Sequence, residues 1–470
     1  MWLLAFVSYP IEASISAVAR GIEILEELEG VAIVSTSAWI DKVRALVEAI
    51  ESVGLRARAY TEFPDPLVNP RGFSMDSASS YVKKVMSELG GEACIAVSSG
   101  SRLEVAISVA EALGQPILYV SFGWGPWNGS FYPYTPRPIE IAYLAKGARA
   151  RERVEPSIVE KLGKAFEGLL GERKVPRLRR LALSTQLEMN AAIPSPLVDG
   201  YGGECPSLKI KVGTKRGSCI ATASSYCDPS EVVKAVSEVG KCLLEESGKS
   251  FDSLTGSRDP VTSLATTVAE VSGILLLVDE NNELFVDSLP KFRASCSEVD
   301  VDTNVVFGGL HAQLYDKPSS VRDLLLPACV DLEIYRKLVE ARGREELLEA
   351  TLGQLALEEV KSFGLPRDLE ASSVPCEASL YVSKHSIATA DRRAFERLLS
   401  SKPCAKLLRL APISEARMEP GYELRKASYA YYAVAQLGAI AKLFKDYAKS
   451  GLHPPISIEV SLGSWRIRTP

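Results

Sequence analysis

The sequence predicts an α/β protein of two or three domains, and three observations carry that expectation. Apolar runs of strand length alternate with segments whose apolar residues recur every three or four positions, the period of a helix with one buried face. The chain has 470 residues, about three times a common domain length. Hydrophobic residues make up 46% and charged residues 24%, with Gly and Pro dispersed, a balance that supplies several apolar cores.

The same composition narrows function. A formal net charge of -5 gives no global attraction to nucleic acid, so any phosphate binding must come from local patches. No apolar run approaches the roughly 18 residues of a membrane span. The start, MWLLAFVSYP, has neither a basic n-region nor a small-residue cleavage site, so the expectation is a cytoplasmic protein with no membrane partner.

Trp2 to Val7 reads as a buried strand, after which Ile11, Ile15, Val18, Ile22 and Leu25 line one face of a helix. GVAIVSTS is the second strand, and Val43, Leu46, Ile50 and Val53 mark a second helix stopped by Gly54. RARAYTEF follows as a strand, SASSYVKKVMSEL as a helix, EACIAVSS as a strand, LEVAISVAEAL as a helix ending at Gly114, and PILYVSF as the fifth strand. Such alternation implies a parallel sheet covered on both faces, with ligands at the carboxyl ends of its strands.

Those ends are polar and small. Strand one ends in Ser8, Tyr9 and Pro10, strand two in Ser35, Thr36 and Ser37, and strand four in Ser98, Ser99, Gly100, Ser101 and Arg102. Hydroxyls, free amides at a helix N-terminus and an Arg fork suit phosphate oxygens, although small residues also serve ordinary turns. Three such loops converging on one edge favour a binding site. In this order of elements, and in the loop SSGSRLEVA, residues 1–150 resemble the CARF domain of CRISPR-associated proteins, a Rossmann-like module. The resemblance implies a homodimer that binds a cyclic oligoadenylate, such as cyclic tetra-adenylate, across its two-fold axis. Its matching positions are Ser8, Tyr9 and Pro10 after strand one and Ser99, Gly100, Ser101 and Arg102 after strand four. The aromatic residues of GWGPWNGSFYPYTP, Gly123 to Pro136, either stack on bases or pack at a dimer interface.

Residues 151–182 form a basic helical linker, flanked by KGARARER and GERKVPRLRR, that is either solvated or in contact with RNA. Residues 183–292 read as a mixed α/β middle domain. SLKIKVG and SCIATAS are strands, SEVVKAVSEVGKCLLEES is a helix, TSLATTVAEVSGILLLV is a helix or a helix and strand, and DENNE is a hairpin tip before ELFVDSL. Nine cysteines include no CxxC pair and only three histidines accompany them, which argues for buried thiols over a zinc site. A Cys219–Cys227 bridge stays open, because intracellular disulfides occur in hyperthermophiles and the scarcity of Met and His suits such a source.

Four acids after residue 295 fall at element boundaries. Asp302 follows the alternating strand Val299 to Val301, Glu333 sits on a helix after Pro327, Glu377 opens EASLYVSK, and Asp391 follows a short strand in HSIATADRRAFERLL. Carboxylates so placed can converge at one sheet edge, where Mg or Mn takes oxygen ligands. Glu333 and Glu377 also read as exposed helix charges, whereas an acid at a buried strand end, as at Asp302 and Asp391, needs compensating partners. Residues 293–412 resemble a PIN-domain nuclease: VDTNVVF matches its first strand, LPACVDLE its second acid and ATADRRAF its late T-x-D segment. The resemblance implies that Asp302, Glu333, Glu377 and Asp391 hold one or two divalent metals, with Asn304 and Thr389 in support. The family more often has Asp at the position of Glu377. His385 has no paired acid or serine and reads as structural.

Residues 413–470 add a long helix rich in Tyr and the alternating tail SIEVSLGSWRIR, a strand suited to pairing with the middle domain. Joined, the two resemblances imply a cyclic-oligoadenylate sensor that gates a metal-dependent ribonuclease acting on single-stranded RNA. The chain lacks the Arg-x-x-x-x-His pair of the helical ribonuclease more common beside such sensors. Alternatives are a binding regulator with a degenerate PIN-like domain, a ring nuclease acting through Ser99, Ser101 or Arg102, and a sugar-phosphate enzyme using the same loops.

Overall fold

A computed structural model of the chain describes every residue except 65–73, 91, 99–113, 123–124, 146, 171–174, 200–202, 215–216, 248–258, 297, 371–375, 401–403, 420–422 and 470. The chain divides into two units. The first comprises Met1–Gly123, Gly129–Lys174 and Gln186–Cys205, and the second Trp124–Asn128, Val175–Thr185 and Pro206–Pro470. Both are mixed α/β. Among the described residues, no helix is long and apolar enough to cross a membrane.

The first unit is built on strands β1 (Trp2–Val7), β2 (Gly30–Ser35), β3 (Arg56–Tyr60), β4 (Ala93–Ala96), β5 (Ile117–Phe122) and β6 (Glu140–Ala145). They lie in the order β3-β2-β1-β4-β5-β6. The first five run parallel and β6 returns antiparallel along β5. β1 and β2 are buried along their whole length, which is why both read as unbroken apolar runs. The strand order reverses between β1 and β4, and that crevice is where an open α/β sheet receives ligands. β6 had no counterpart among the expected strands, and the expected helix LEVAISVAEAL lies outside the described residues.

Two expectations for this region need correction. The segment expected to be a solvated linker contains helix Pro156–Phe166, whose Val159, Leu162 and Phe166 are buried in the first unit. The described aromatics after β5 are core residues: Phe131, Tyr132 and Tyr134 are buried in this unit, and Trp127 is buried in the second, where its Nε1 donates to the Ser428 carbonyl at 3.1 Å, while Trp124 lies outside the described residues. An apolar ring beside a polar backbone group is core chemistry, and sequence alone does not separate it from interface chemistry.

Beneath Tyr132 lies a buried charge cluster. Glu23 accepts from Arg20 at 2.6 Å and pairs with Arg137 at 2.5 Å, and all three side chains are fully buried. The guanidinium of Arg20 also donates to the carbonyls of Pro196 and Leu197, and that of Arg137 to Ile193 and Ser195, so the cluster clamps this segment to the first helix. Nearby, Glu140 accepts from the Ser16 hydroxyl at 2.8 Å. Burial pushes the Glu140 carboxyl up to about 7, only partly offset by the hydroxyls of Thr135 and Ser16. The folded state therefore holds a proton that the unfolded chain releases near 4.5, and stability falls as pH rises from there to about 7. Glu140→Gln is expected to remove up to about 3 kcal/mol of this pH dependence, measured as flattened urea-unfolding free energies between pH 5 and pH 8.

In the second unit the strands are, in chain order, β7 (Leu208–Gly213), β8 (Ser218–Ala223), β9 (Leu275–Val278), β10 (Val299–Val301), β11 (Leu324–Pro327), β12 (Arg367–Asp368), β13 (Ser386–Thr389), β14 (Ala405–Leu407), β15 (Arg409–Pro412), β16 (Ser457–Leu462) and β17 (Trp465–Arg468). They make a five-stranded parallel sheet β12-β11-β10-β13-β14, a four-stranded antiparallel sheet β17-β16-β7-β8 and the pair β15-β9. Residues expected as separate domains, 183–292 and 293–412, are thus interleaved. β9 pairs with β15, and the tail strand β16 pairs with β7, so the second unit takes in the C-terminal segment too. DENNE is a tight turn as expected, with Leu284 bridged antiparallel to Val278, but ELFVDSL then continues as helix Phe285–Arg293, which buries Phe285 and Leu289 four residues apart. Three Tyr residues of helix Glu423–Lys449 are core, Tyr429, Tyr431 and Tyr432 being fully buried, while Tyr447 is half-buried.

Most cysteines are bridged, against the expectation of thiols. Cys219 joins Cys242 across 5.7 Å between Cα atoms, not Cys227, because its side chain faces helix Pro229–Ser247. Cys296–Cys404 and Cys329–Cys376 are also bonded, Cys205 and Cys227 are each in a disulfide, and Cys94 is a buried free thiol.

One close approach bears on the parallel sheet. A Cβ on Gly353, in helix Arg344–Ser362, would stand 2.0 Å from the Phe307 ring, which ends the short helix after β10. Gly353→Ala is expected to destabilise by about 1–3 kcal/mol through overpacking, seen as a lower urea midpoint.

Candidate functional site

The five-stranded sheet reverses its strand order between β10 and β13, and the sequence places Asp302 and Asp391 at the carboxyl ends of those two neighbours. β10 is short and wholly buried, so the chain emerges from the core at Asp302, whose side chain then caps helix Thr303–Phe307. Asp302 is 8% exposed. Its Oδ1 accepts from the Thr303 amide at 2.7 Å, and its Oδ2 accepts from Asn304 Nδ2 and Thr389 Oγ1, both at 2.7 Å.

The two strand ends are stitched together by these side chains. Asn304 Nδ2 also donates to Thr389 Oγ1 at 3.2 Å, Asn304 Oδ1 accepts from the Ala390 amide at 2.7 Å, and Thr389 Oγ1 accepts from the Asp391 amide at 3.1 Å. Thr303 Oγ1 donates to Glu333 Oε2 at 3.2 Å, which brings helix Ala328–Glu340 to the same edge. Burial raises the Asp302 carboxyl to about 6, with the Glu333 charge adding to the rise and the Thr389, Thr303 and Asn304 donors opposing it.

The four expected acids do not close into one cluster. Glu377 lies on helix Cys376–Val382, half exposed, and pairs with Arg397 at 2.9 Å. Asp391 Oδ1 accepts from the amides of Arg393 and Ala394, capping helix Arg392–Leu399. Glu333 has Lys337 at 3.9 Å. Among the described residues, the only three His, Cys, Asp or Glu side chains with ligand atoms all within 4.8 Å are Cys219, Cys242 and Glu246, whose sulfurs are spent in a disulfide.

The donor set nevertheless fits Mg or Mn in part. Asp302 has only neutral donors around it and a second carboxylate, Glu333, raising its proton affinity, so a cation there relieves both burial and repulsion. Asp302 and Glu333 bring carboxylates to this edge, whereas the Oδ1 of Asp391 caps a helix and Glu377 is paired with Arg397. The Cys329–Cys376 bridge ties the starts of the helices that carry Glu333 and Glu377.

One further acid escaped the sequence reading. Asp368, at the carboxyl end of the edge strand β12, is buried, with Oδ1 accepting from the Glu370 amide at 2.8 Å. A two-residue strand has no periodicity to read, so only the turn-like Pro366 and the acid itself hinted at it.

At the sheet edge of the first unit, Ser8 and Thr36 end adjacent strands and are buried, and neither hydroxyl has a partner among the described residues. Tyr9 is 80% exposed and Pro10 precedes helix Ile11–Ile24. Two other hydroxyls have structural duties: Ser35 Oγ donates to the Thr36 carbonyl at 3.1 Å, and Ser98 Oγ accepts from the Val120 amide at 2.9 Å. Ser99, Gly100, Ser101 and Arg102 lie outside the described residues. No family model, curated protein or solved structure matches this chain.

Proposed function

We propose that the protein is a cytoplasmic, CRISPR-associated, cyclic-oligoadenylate-sensing ribonuclease, with a CARF-like domain in residues 1–150 and a metal-dependent PIN-like site in residues 293–412. The observation that carries the reading is the junction of Asp302, Asn304, Thr389 and Glu333 at the strand-order reversal of a parallel sheet, where α/β folds bind ligands. Asp302 and Glu333 would hold Mg or Mn, with Asp391 as the third acid. The bound cation supplies a water of lowered pKa and charge stabilisation at the phosphodiester. Asn304 and Thr389 hold the Asp302 carboxylate through its Oδ2, which leaves Oδ1 with one acceptor site beyond the Thr303 amide, and the Thr303 hydroxyl holds Glu333.

The unpartnered hydroxyls of Ser8 and Thr36 support the sensing half, since buried hydroxyls without protein partners are sites for a polar ligand or water. A second reading, a ligand-binding regulator with a degenerate PIN-like domain, draws support from the Glu377–Arg397 pair. Cleavage of labelled single-stranded RNA with Mn, with and without cyclic tetra-adenylate, separates the two. Ligand-stimulated cutting that Asp302→Asn abolishes supports the ribonuclease; ligand bound without cutting in any condition supports the regulator; and ligand consumed by Asp302→Asn protein moves the chemistry to the first domain as a ring nuclease.

A further inference from the structure

The antiparallel sheet of the second unit has one covered face and one basic face. Leu208, Ile210 and Val212 of β7, Cys219 and Ala221 of β8, and Ile458, Val460 and Leu462 of β16 are buried, on the side packed by helices Pro229–Ser247 and Glu423–Lys449. Side chains alternate along a strand, so the intervening residues form the opposite face. The register sets Ile220, Lys211, Glu459 and Arg468 in one cross-strand row and Thr222, Lys209, Ser461 and Arg466 in the next.

Four cations and one carboxylate therefore share this face, in a chain whose formal net charge is -5. Glu459 pairs with Arg466 at 2.9 Å and reaches Arg468 at 4.0 Å, yet the side chains of these arginines stay 53% and 59% exposed. Burial pushes the Glu459 carboxyl up, but its bond to Arg466 and the charges of Arg466, Lys209 and Arg468 outweigh that and hold it below the usual range. Lys209 and Lys211 make no ion pair among the described residues, and Lys209 is exposed. With β16 between them, the lysines of β7 and the arginines of β17 stand about 9.6 Å apart across the sheet and about 6.8 Å apart along each strand, a track of two cationic rails for repeated negative charges. Its exposed large apolar side chain is Ile220, too little for insertion into a bilayer.

We propose that this face binds the phosphodiester backbone of the single-stranded RNA substrate, with Lys209, Lys211, Arg466 and Arg468 as its phosphate contacts. The inference rests on the ribonuclease reading for the identity of the polyanion. Backbone binding of this kind is salt-dependent and indifferent to base sequence.

The test uses the full chain in EDTA and fluorescence anisotropy with a labelled oligouridylate, between about 50 and 200 mM KCl. Lys209→Ala/Lys211→Ala is expected to weaken binding about tenfold at the lower salt and to reduce the slope of log affinity against log salt by about 1.4, two phosphate contacts of a single strand. Thr222→Glu, which adds an opposing charge and removes no cation, is expected to weaken binding as well. Unchanged affinity and slope in both variants overturn the proposal, as does binding to phosphatidylserine vesicles in preference to RNA. Cleavage with Mn, run in parallel, separates the two readings. RNA cut with an unchanged KM in the lysine variant removes this face and leaves the nuclease, whereas RNA bound through the lysines but never cut keeps the face and removes the nuclease.

Discussion

Asp302→Asn is expected to reduce Mn-dependent RNA cleavage by about a thousandfold or more, equivalent to about 4 kcal/mol of activation free energy. Asn keeps the shape of the side chain and can still accept from the Thr303 amide, but it brings no negative charge to a cation. The change also removes a buried carboxylate that is costly to ionise without a metal, since burial and Glu333 already raise it to about 6. The gain from losing the buried charge is opposed by the Nδ2 of the substituted Asn, which meets the Asn304 and Thr389 donors, so the metal-free variant should melt close to the parent at pH 7, while Mn should raise the melting temperature of the parent alone. Lost cleavage accompanied by a collapsed melt would assign Asp302 a purely structural role. Retained cleavage would remove the proposed site altogether.

Glu23→Ala is expected to unfold the first unit. The substitution leaves two fully buried guanidinium groups, Arg20 and Arg137, without their counter-charge. Breaking one buried pair costs about 3–5 kcal/mol, and a whole domain is stable by only about 5–15 kcal/mol. Glu26→Ala, an exposed acid one turn on, should stay within about 0.5 kcal/mol of the parent. The measurement is the urea-unfolding profile of the full chain, with the expectation that its first-unit transition moves to low denaturant or disappears. A Glu23→Ala profile that overlays the parent would mean that backbone carbonyls and Tyr132 satisfy both arginines unaided.

The alternation of strand and helix in the first unit was legible because each buried strand is a continuous apolar run and each helix repeats its apolar residues with a helical period. For the same reason Asp302 stood out: a carboxylate ending the run EVDVD must find partners, and it finds Thr303, Asn304 and Thr389. Arg20 and Glu23 were hidden in the same helical pattern. Paired charges can be buried on a helix whose apolar spacing is undisturbed, and periodicity records only the apolar members. Glu377 was a plausible fourth acid by position, yet its half-exposed helix offers it the nearer Arg397.

The sequence by itself determined the local elements, the α/β class and the acid at the end of β10, because these depend on periodicities and end signals carried within a few residues. The alternation of the tail already suited it to a strand of the middle domain, and β16 does pair with β7; tertiary structure alone decided the pairing of β9 with β15, the cysteine pairing and the basic face shared by Lys209, Lys211, Arg466 and Arg468. Each joins residues far apart along the chain, and their partner choice follows from which strands and helices bury one another's apolar faces, a competition that no local pattern encodes.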